Sequence, residues 1–167
     1  MKRQLCRGYL LLLKRYMTKN YMRDINLIVI HCTATKGGID YNVKHIRGMH
    51  LARGFNDIGY HFLIHLDGEI ERGRPWDKMG AHAKGYNSDS IGIAYVGGVD
   101  KEGKAKDTRT TAQIHALRAS VGIIKAQYPM VRVVGHRDLS VDLNGDGVIS
   151  KNEWMKQCPS FDVKTEL

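Results

Sequence analysis

The sequence predicts one α/β domain with a central mixed β-sheet flanked by helices. Three observations carry this expectation: near-continuous apolar runs of strand formers, helical periodicities set between them, and no repeat or linker dividing the chain. At 167 residues the chain is long enough for one well-buried core and short for two.

The elements follow in order. Residues 25–31 are almost wholly apolar, as in a strand covered on both faces. A loop with Gly37 and Gly38 comes next. Asp40 or Asn42 can then cap a helix reaching about Arg53, and Gly54 sits where a helix stops. Residues 59–66 read as a second strand, turned back by Asp67-Gly68 into residues 69–72 as a hairpin. Residues 73–89 read as loop. Ser90 to Val96 form a third buried strand, closed by Gly97 and Gly98. Thr110 and Gln113 fit a capping box, after which Ile114, Leu117, Val121, Ile124 and Tyr128 recur at helical spacing until Pro129. Arg132 to Gly135 make a last short strand that leads into His136, and the remainder to Leu167 reads as irregular.

The net charge of +9 suggests a nucleic-acid partner until its location is considered. Lys2, Arg3, Arg7, Lys14, Arg15 and Lys19 fall within residues 1–21, which hold no acid. The other 20 basic residues face 17 acidic ones, so the globular part is nearly balanced. Residues 1–21 are therefore expected to be a basic extension outside the fold, with the domain over 22–167 and no nucleic-acid partner. The run from Tyr9 to Leu13 is too short for a signal-peptide core, and no apolar run approaches a membrane span. Three cysteines, Cys6, Cys32 and Cys158, make no disulfide framework.

Eight histidines offer several metal-ligand trios, and spacing alone does not choose among them. His31 and His136 sit at the C-terminal ends of predicted central strands, where α/β folds gather ligands, and Cys158 lies in a Cys-Pro loop. Two imidazoles and one thiolate would make a zinc site with its fourth position open. His61 and His65 have a spacing that binds zinc from a helix, but their surroundings predict strand. Side chains alternate across a strand, so Cys32 should face the core if His31 faces a site. His45, His50 and His115 fall on predicted helices and read as surface or interface residues.

Five motifs narrow the choice. They are residues 28–35 (Ile-Val-Ile-His-Cys-Thr-Ala-Thr), 59–62 (Gly-Tyr-His-Phe), 80–82 (Gly-Ala-His), 135–138 (Gly-His-Arg-Asp) and 156–162 (Lys-Gln-Cys-Pro-Ser-Phe-Asp). In this order they resemble the phage-lysozyme, or type-2, N-acetylmuramoyl-L-alanine amidases, to which the eukaryotic peptidoglycan recognition proteins are related. The resemblance runs from about Arg23 to Val163. It implies zinc held by His31, His136 and Cys158, with Tyr60 and Lys156 assisting catalysis beside the metal. It also places His82 in a loop bordering the substrate cleft, either as a substrate-contacting residue or as a plain loop histidine. Zinc lowers the pKa of bound water toward about 7, and Lys156 or Tyr60 would serve the oxyanion formed at the lactyl-amide carbonyl. Asp138 could orient a ligand imidazole, or pair with Arg137.

One departure from the family pattern stands out. Residues 137–155 separate His136 from Lys156, where the family keeps the two motifs close. Within this insert, Asp142, Asn144, Asp146 and Glu153, with Gly147 between, match the spacing of an EF-hand loop, which makes calcium a second candidate cofactor. No good helix precedes the loop, and an Asp/Asn/Gly-rich stretch is equally a turn.

The function implied is zinc-dependent hydrolysis of the amide between N-acetylmuramic acid and L-alanine in peptidoglycan. The alternative is a peptidoglycan-binding module without catalysis, which the retention of Cys158, Tyr60 and Lys156 disfavours. Peptidoglycan is the expected partner, with no membrane span and a monomeric state. With no signal peptide read and five residues after Asp162, a lysin held in the cytoplasm until lysis, without a wall anchor, is expected.

Overall fold

A computed structural model describes residues 23–167 of the chain, and the basic extension expected over 1–21 lies outside the described residues. Five strands form the main sheet: β1 (Leu27–Cys32), β3 (Phe62–Ile64), β4 (Ile70–Arg72), β5 (Ser90–Tyr95) and β7 (Arg132–Gly135), in the order β4-β3-β5-β1-β7. β1 lies parallel to both β5 and β7, and β3 is parallel to β5. Only the hairpin partner β4 runs antiparallel, so the sheet is mixed, as expected.

Every residue of β1 and β5 is buried, which is why both read as continuous apolar runs. The alternation of side chains sorts them to two faces. Ile28, Ile30 and Cys32 of β1 and Ile91, Ile93 and Tyr95 of β5 pack under helix α2 (Thr111–Gln127), with Leu117, Val121 and Ile124. Each of those three aliphatic side chains contributes about 1.5–3 kcal/mol by leaving water. On the opposite face, helix α1 (Val43–Leu51) places Val43 and Ile46 against Leu63 and Ala94.

The caps agree with the sequence. Asn42 accepts from His45 N at 3.0 Å and opens α1, and Gly54, at φ +85°, follows its end in the left-handed region. Thr110 and Gln113 form the capping box of α2.

Four features differ from the expectation or go beyond it. The strand read over 59–66 is regular only at Phe62–Ile64, because Gly59 N donates to the His50 side chain rather than to a ladder. A second, two-stranded parallel sheet joins β2 (Thr35–Lys36) to β6 (Gly98–Val99), elements too short to show a period. Gln113 is fully buried in α2 because its amide donates to the carbonyls of Ile64 and Val96. The chain also ends on a short helix, α3 (Val163–Glu166), capped by Asp162, where irregular structure was expected. No helix among the described residues is long and apolar enough to cross a membrane.

Candidate metal centre

His31 lies near the end of β1, and its side chain faces away from α2 while that of Cys32 packs under it. His136 opens a 3-10 turn, His136–Leu139, directly after β7, and its ring centroid is 4.5 Å from that of His31. Cys158 arrives from the far end of the chain and is fixed by three contacts. Cys32 N donates to its Sγ at 3.3 Å, Arg137 N donates to its carbonyl at 2.8 Å, and the buried Tyr95 hydroxyl donates to the next carbonyl, Pro159 O, at 2.7 Å. Strand ends and one tied loop thus converge on a single point.

The donor atoms of His31, His136 and Cys158 all lie within 4.8 Å of one another. Among the described residues, no other group of His, Cys, Asp or Glu is gathered in this way. His31 Nδ1 is 3.8 Å from Cys158 Sγ. A tetrahedral zinc with bonds of about 2.0–2.3 Å would hold such a pair about 3.6 Å apart, so the donors fit with a small inward adjustment.

The electrostatics suit ligation. Burial, and then the charges of neighbouring groups, hold His31 well below the usual imidazole range, and burial with Lys156 lowers His136 to about 4. Both rings are therefore neutral near pH 7, as metal ligands must be. A hydrogen bond with Cys32 and burial push the Cys158 thiol up, and Lys156 opposes them. A bound cation would reverse that balance, because coordination deprotonates a thiol.

Tyr60 precedes β3, with its ring 5.1 Å from the rings of both His31 and His50. Burial, and then the neighbouring Cys158, push its phenol above the usual range, so it keeps its proton at neutral pH. Lys156 is exposed on the solvent side, close enough for its charge to act on His31, His136 and Cys158.

His82 is drawn into the centre more deeply than a cleft-bordering loop implies. It is 8% exposed, and its Nδ1 stands 3.1 Å from His31 Nε2. Asp138 accepts from Gly135 N at 2.8 Å and faces Arg137 at 3.9 Å, so it caps the turn that presents His136. His50 is a correction: expected at the surface, it is 4% exposed and accepts from Gly59 N, fixing the approach to Tyr60. His45 and His115 are exposed as expected. His61 is buried, and His65 lies between Asp40 and Glu71, each at 3.0 Å.

The four expected calcium ligands serve the backbone of their own loop. Asp142 accepts from Gly145 N and Gly147 N, Asn144 from Asp146 N, Asp146 from Val148 N, and Glu153 from Leu143 N and Ser150 N. No α-helix flanks the loop, which follows the 3-10 turn His136–Leu139 and ends in the 3-10 turn Lys151–Glu153.

Two parts of the site escaped the sequence reading. Arg23 clamps the loop that carries His82, donating to the carbonyls of Trp76, Asn87, Ser88 and Ser90. The other is the inner face of β5, where Ser90, Gly92 and Ala94 alternate with Ile91, Ile93 and Tyr95. That row of small side chains signals that something bulky packs there, and the His82 ring lies against Ser90 and Gly92 while aliphatic side chains cover Ala94.

An α/β domain with two imidazoles and a thiol gathered at its strand ends defines a class: an enzyme with a metal-capable centre. Residues 21–160 match the profile of the N-acetylmuramoyl-L-alanine amidase family, and the chain belongs to that family. It is 39% identical over 142 residues to the endolysin of Klebsiella phage KP32, covering 85% of each chain. Over 137 residues it is 39% identical to the endolysin of Escherichia phage T7, covering 82% of each. Among solved structures, the endolysin N-acetylmuramoyl-L-alanine amidase LysCS from Clostridium intestinale URNW superposes with a TM-score of 0.64 at 28% identity, covering 86% of this chain and 80% of that one.

Proposed function

We propose that the chain hydrolyses the amide between N-acetylmuramic acid and L-alanine of peptidoglycan, using zinc held by His31, His136 and Cys158. The observation that carries this reading is the convergence of those three donors within 4.8 Å in a chain of the amidase family. Zinc would supply Lewis acidity and a water acidic enough to act as a nucleophile near neutral pH.

The chain's own residues have separate tasks. Tyr60, protonated and beside His31, can donate a hydrogen bond to the oxyanion that forms when water adds to the lactyl-amide carbonyl. Lys156 brings positive charge to the solvent side, where the same oxyanion or the departing amine can meet it. Retention of all three donors, with Tyr60 beside them, favours hydrolysis over peptidoglycan binding alone. That the relatives are endolysins supports a lytic use of the reaction on the cell wall.

The test pairs metal analysis of the purified full chain with a digest of purified peptidoglycan. Amide cleavage frees the amino group of L-alanine, so new N-terminal alanine should appear without new reducing sugar ends. Release of reducing ends instead, or full activity with no bound metal, would overturn the reading.

A further inference from the structure

A chain of hydrogen bonds runs inward from the metal centre and ends on a group that can only accept. Ser90 Oγ donates to the carbonyl of Tyr86 at 2.5 Å. Its lone pairs then face His82 Nε2, 3.4 Å away. His82 Nδ1 in turn faces His31 Nε2 at 3.1 Å, and His31 Nδ1 points to Cys158 Sγ at 3.8 Å. A neutral imidazole has one donor and one acceptor nitrogen. The carbonyl at the inner end therefore sets the direction of every bond: Ser90 donates to Tyr86, His82 Nε2–H to Ser90, and His31 Nε2–H to His82 Nδ1. His31 Nδ1 is left with its lone pair toward the other two donors.

We propose that His82, backed by Ser90, is the positioning residue that fixes the tautomer and ring orientation of His31, so that Nδ1 is presented as the metal ligand.

The packing is built for this. Gly80 and Gly92 lie against the His82 ring so closely that a Cβ on either would come within 2.5 Å of its Cδ2. Gly92 is an otherwise costly residue inside a buried strand, and the ring explains its presence. Asn87 Oδ1 accepts from the backbone of both His82 and Ala83 at 2.9 Å, which fixes the backbone from which the imidazole projects. Arg23 holds the same loop through the carbonyls of Asn87 and Ser88. At 8% exposure, with partners on both nitrogens, His82 has little surface left for substrate. Groups that orient a metal-bound imidazole typically change metal affinity by about 10–100-fold when removed.

The inference rests on the metal reading above, and the experiment separates the two. Zinc affinity of the full chain is measured by competition with a chromophoric chelator, for wild type, His82→Ala, His82→Asn and Ser90→Ala. His82→Ala should weaken zinc about 10–100-fold. His82→Asn, whose Oδ1 can take the place of Nδ1, should recover most of that loss. Ser90→Ala should give a smaller loss while keeping the ring, and it reads the same chain if His82→Ala folds poorly. Nitrogen-15 spectra of the zinc-loaded wild type should show His82 protonated at Nε2 only. Equal zinc affinity in wild type, His82→Ala and Ser90→Ala, or a His82 proton on Nδ1, overturns the positioning role and leaves the metal site standing. A wild type that binds no zinc overturns both.

Discussion

His31 Nδ1 and Cys158 Sγ stand 3.8 Å apart although 126 residues lie between them in the chain. With His136 completing the set, removal of any one donor leaves two, too few to hold a catalytic zinc firmly. His31→Ala, His136→Ala and Cys158→Ala should each abolish stoichiometric zinc and wall-lytic activity together. Metal analysis of the three purified variants is the check, and full zinc in all of them would remove the trio from the site.

Tyr60 and Lys156 surround the centre without being among its donors. Tyr60→Phe and Lys156→Ala should therefore keep zinc and lose about 10²–10³-fold in turnover if each stabilises the oxyanion. Measuring zinc content and kcat on the same preparations separates this from loss of metal. Near-wild-type kcat in either variant would take that residue off the catalytic set.

Gly92 tests the packing of the inner sheet face. An added methyl would lie 2.5 Å from His82 Cδ2, a distance real side chains do not tolerate. Gly92→Ala should cost about 1–3 kcal/mol of stability by overpacking and should weaken zinc by displacing the His82 ring. Denaturant unfolding of the metal-free variant reads the first effect, and chelator competition reads the second. A stable variant with unchanged zinc affinity would show that the ring has room to move.

The strands of the main sheet, both long helices and the cap of α2 were legible because they rest on local periodicity and capping chemistry. The strand order, by contrast, needs pairing between distant segments, and the first cap was left between Asp40 and Asn42. The gathering of His31, His136 and Cys158 was legible only through the order of five motifs, since eight histidines leave spacing undecided. What stayed hidden depends on contacts between distant segments. The burial of His50 needs Gly59, that of Gln113 needs the carbonyls of Ile64 and Val96, and the place of His82 needs the small face of β5. The alternation of Ser90, Gly92 and Ala94 with large residues was a signal in plain view, but it said only that something bulky packs there.

Stability should fall on acidification before the carboxylates titrate. Burial, followed by nearby arginines, lowers His50 to about 4; burial, opposed by the Lys78 carbonyl, lowers His61 to about 4. An unfolded histidine takes up its proton near pH 6.5. Because the folded values are depressed, the stabilising contribution is full above about pH 6.5 and is lost as pH falls toward 4. Each ring can account for up to about 3 kcal/mol over that window. His65 has the opposite sign. Burial would lower it, but Asp40 and Glu71 outweigh burial and raise it, so its contribution is present at low pH and fades as pH rises through the folded value. His61→Asn, which retains an acceptor for Gly92 N, should flatten the acid limb of a stability–pH curve. An unchanged slope between pH 6.5 and 4 would contradict this account.

The insert between His136 and Lys156 must hold two donors and a lysine in register across residues 137–155, and ordering a loop of that length costs entropy. The structure supplies order through the loop's own hydrogen bonds. Glu153 joins its two ends, accepting from Ser150 N at 2.7 Å, from Ser150 Oγ at 2.8 Å and from Leu143 N at 2.8 Å, and those bonds hold its carboxyl below the usual range. Asp142 closes the centre by accepting from Gly145 N and Gly147 N. These hydrogen bonds alone would order the loop, although the same carboxylates keep further lone pairs for a cation. Glu153→Gln should lower the melting temperature in calcium-free buffer, because a neutral amide accepts more weakly from two backbone donors than a carboxylate does. Wild type should melt at the same temperature with and without millimolar calcium, zinc held constant. A calcium-dependent rise in wild type that disappears in Glu153→Gln would instead assign the loop a cation, and wall-lytic activity measured alongside would show whether that cation acts on the chemistry or only on the connection.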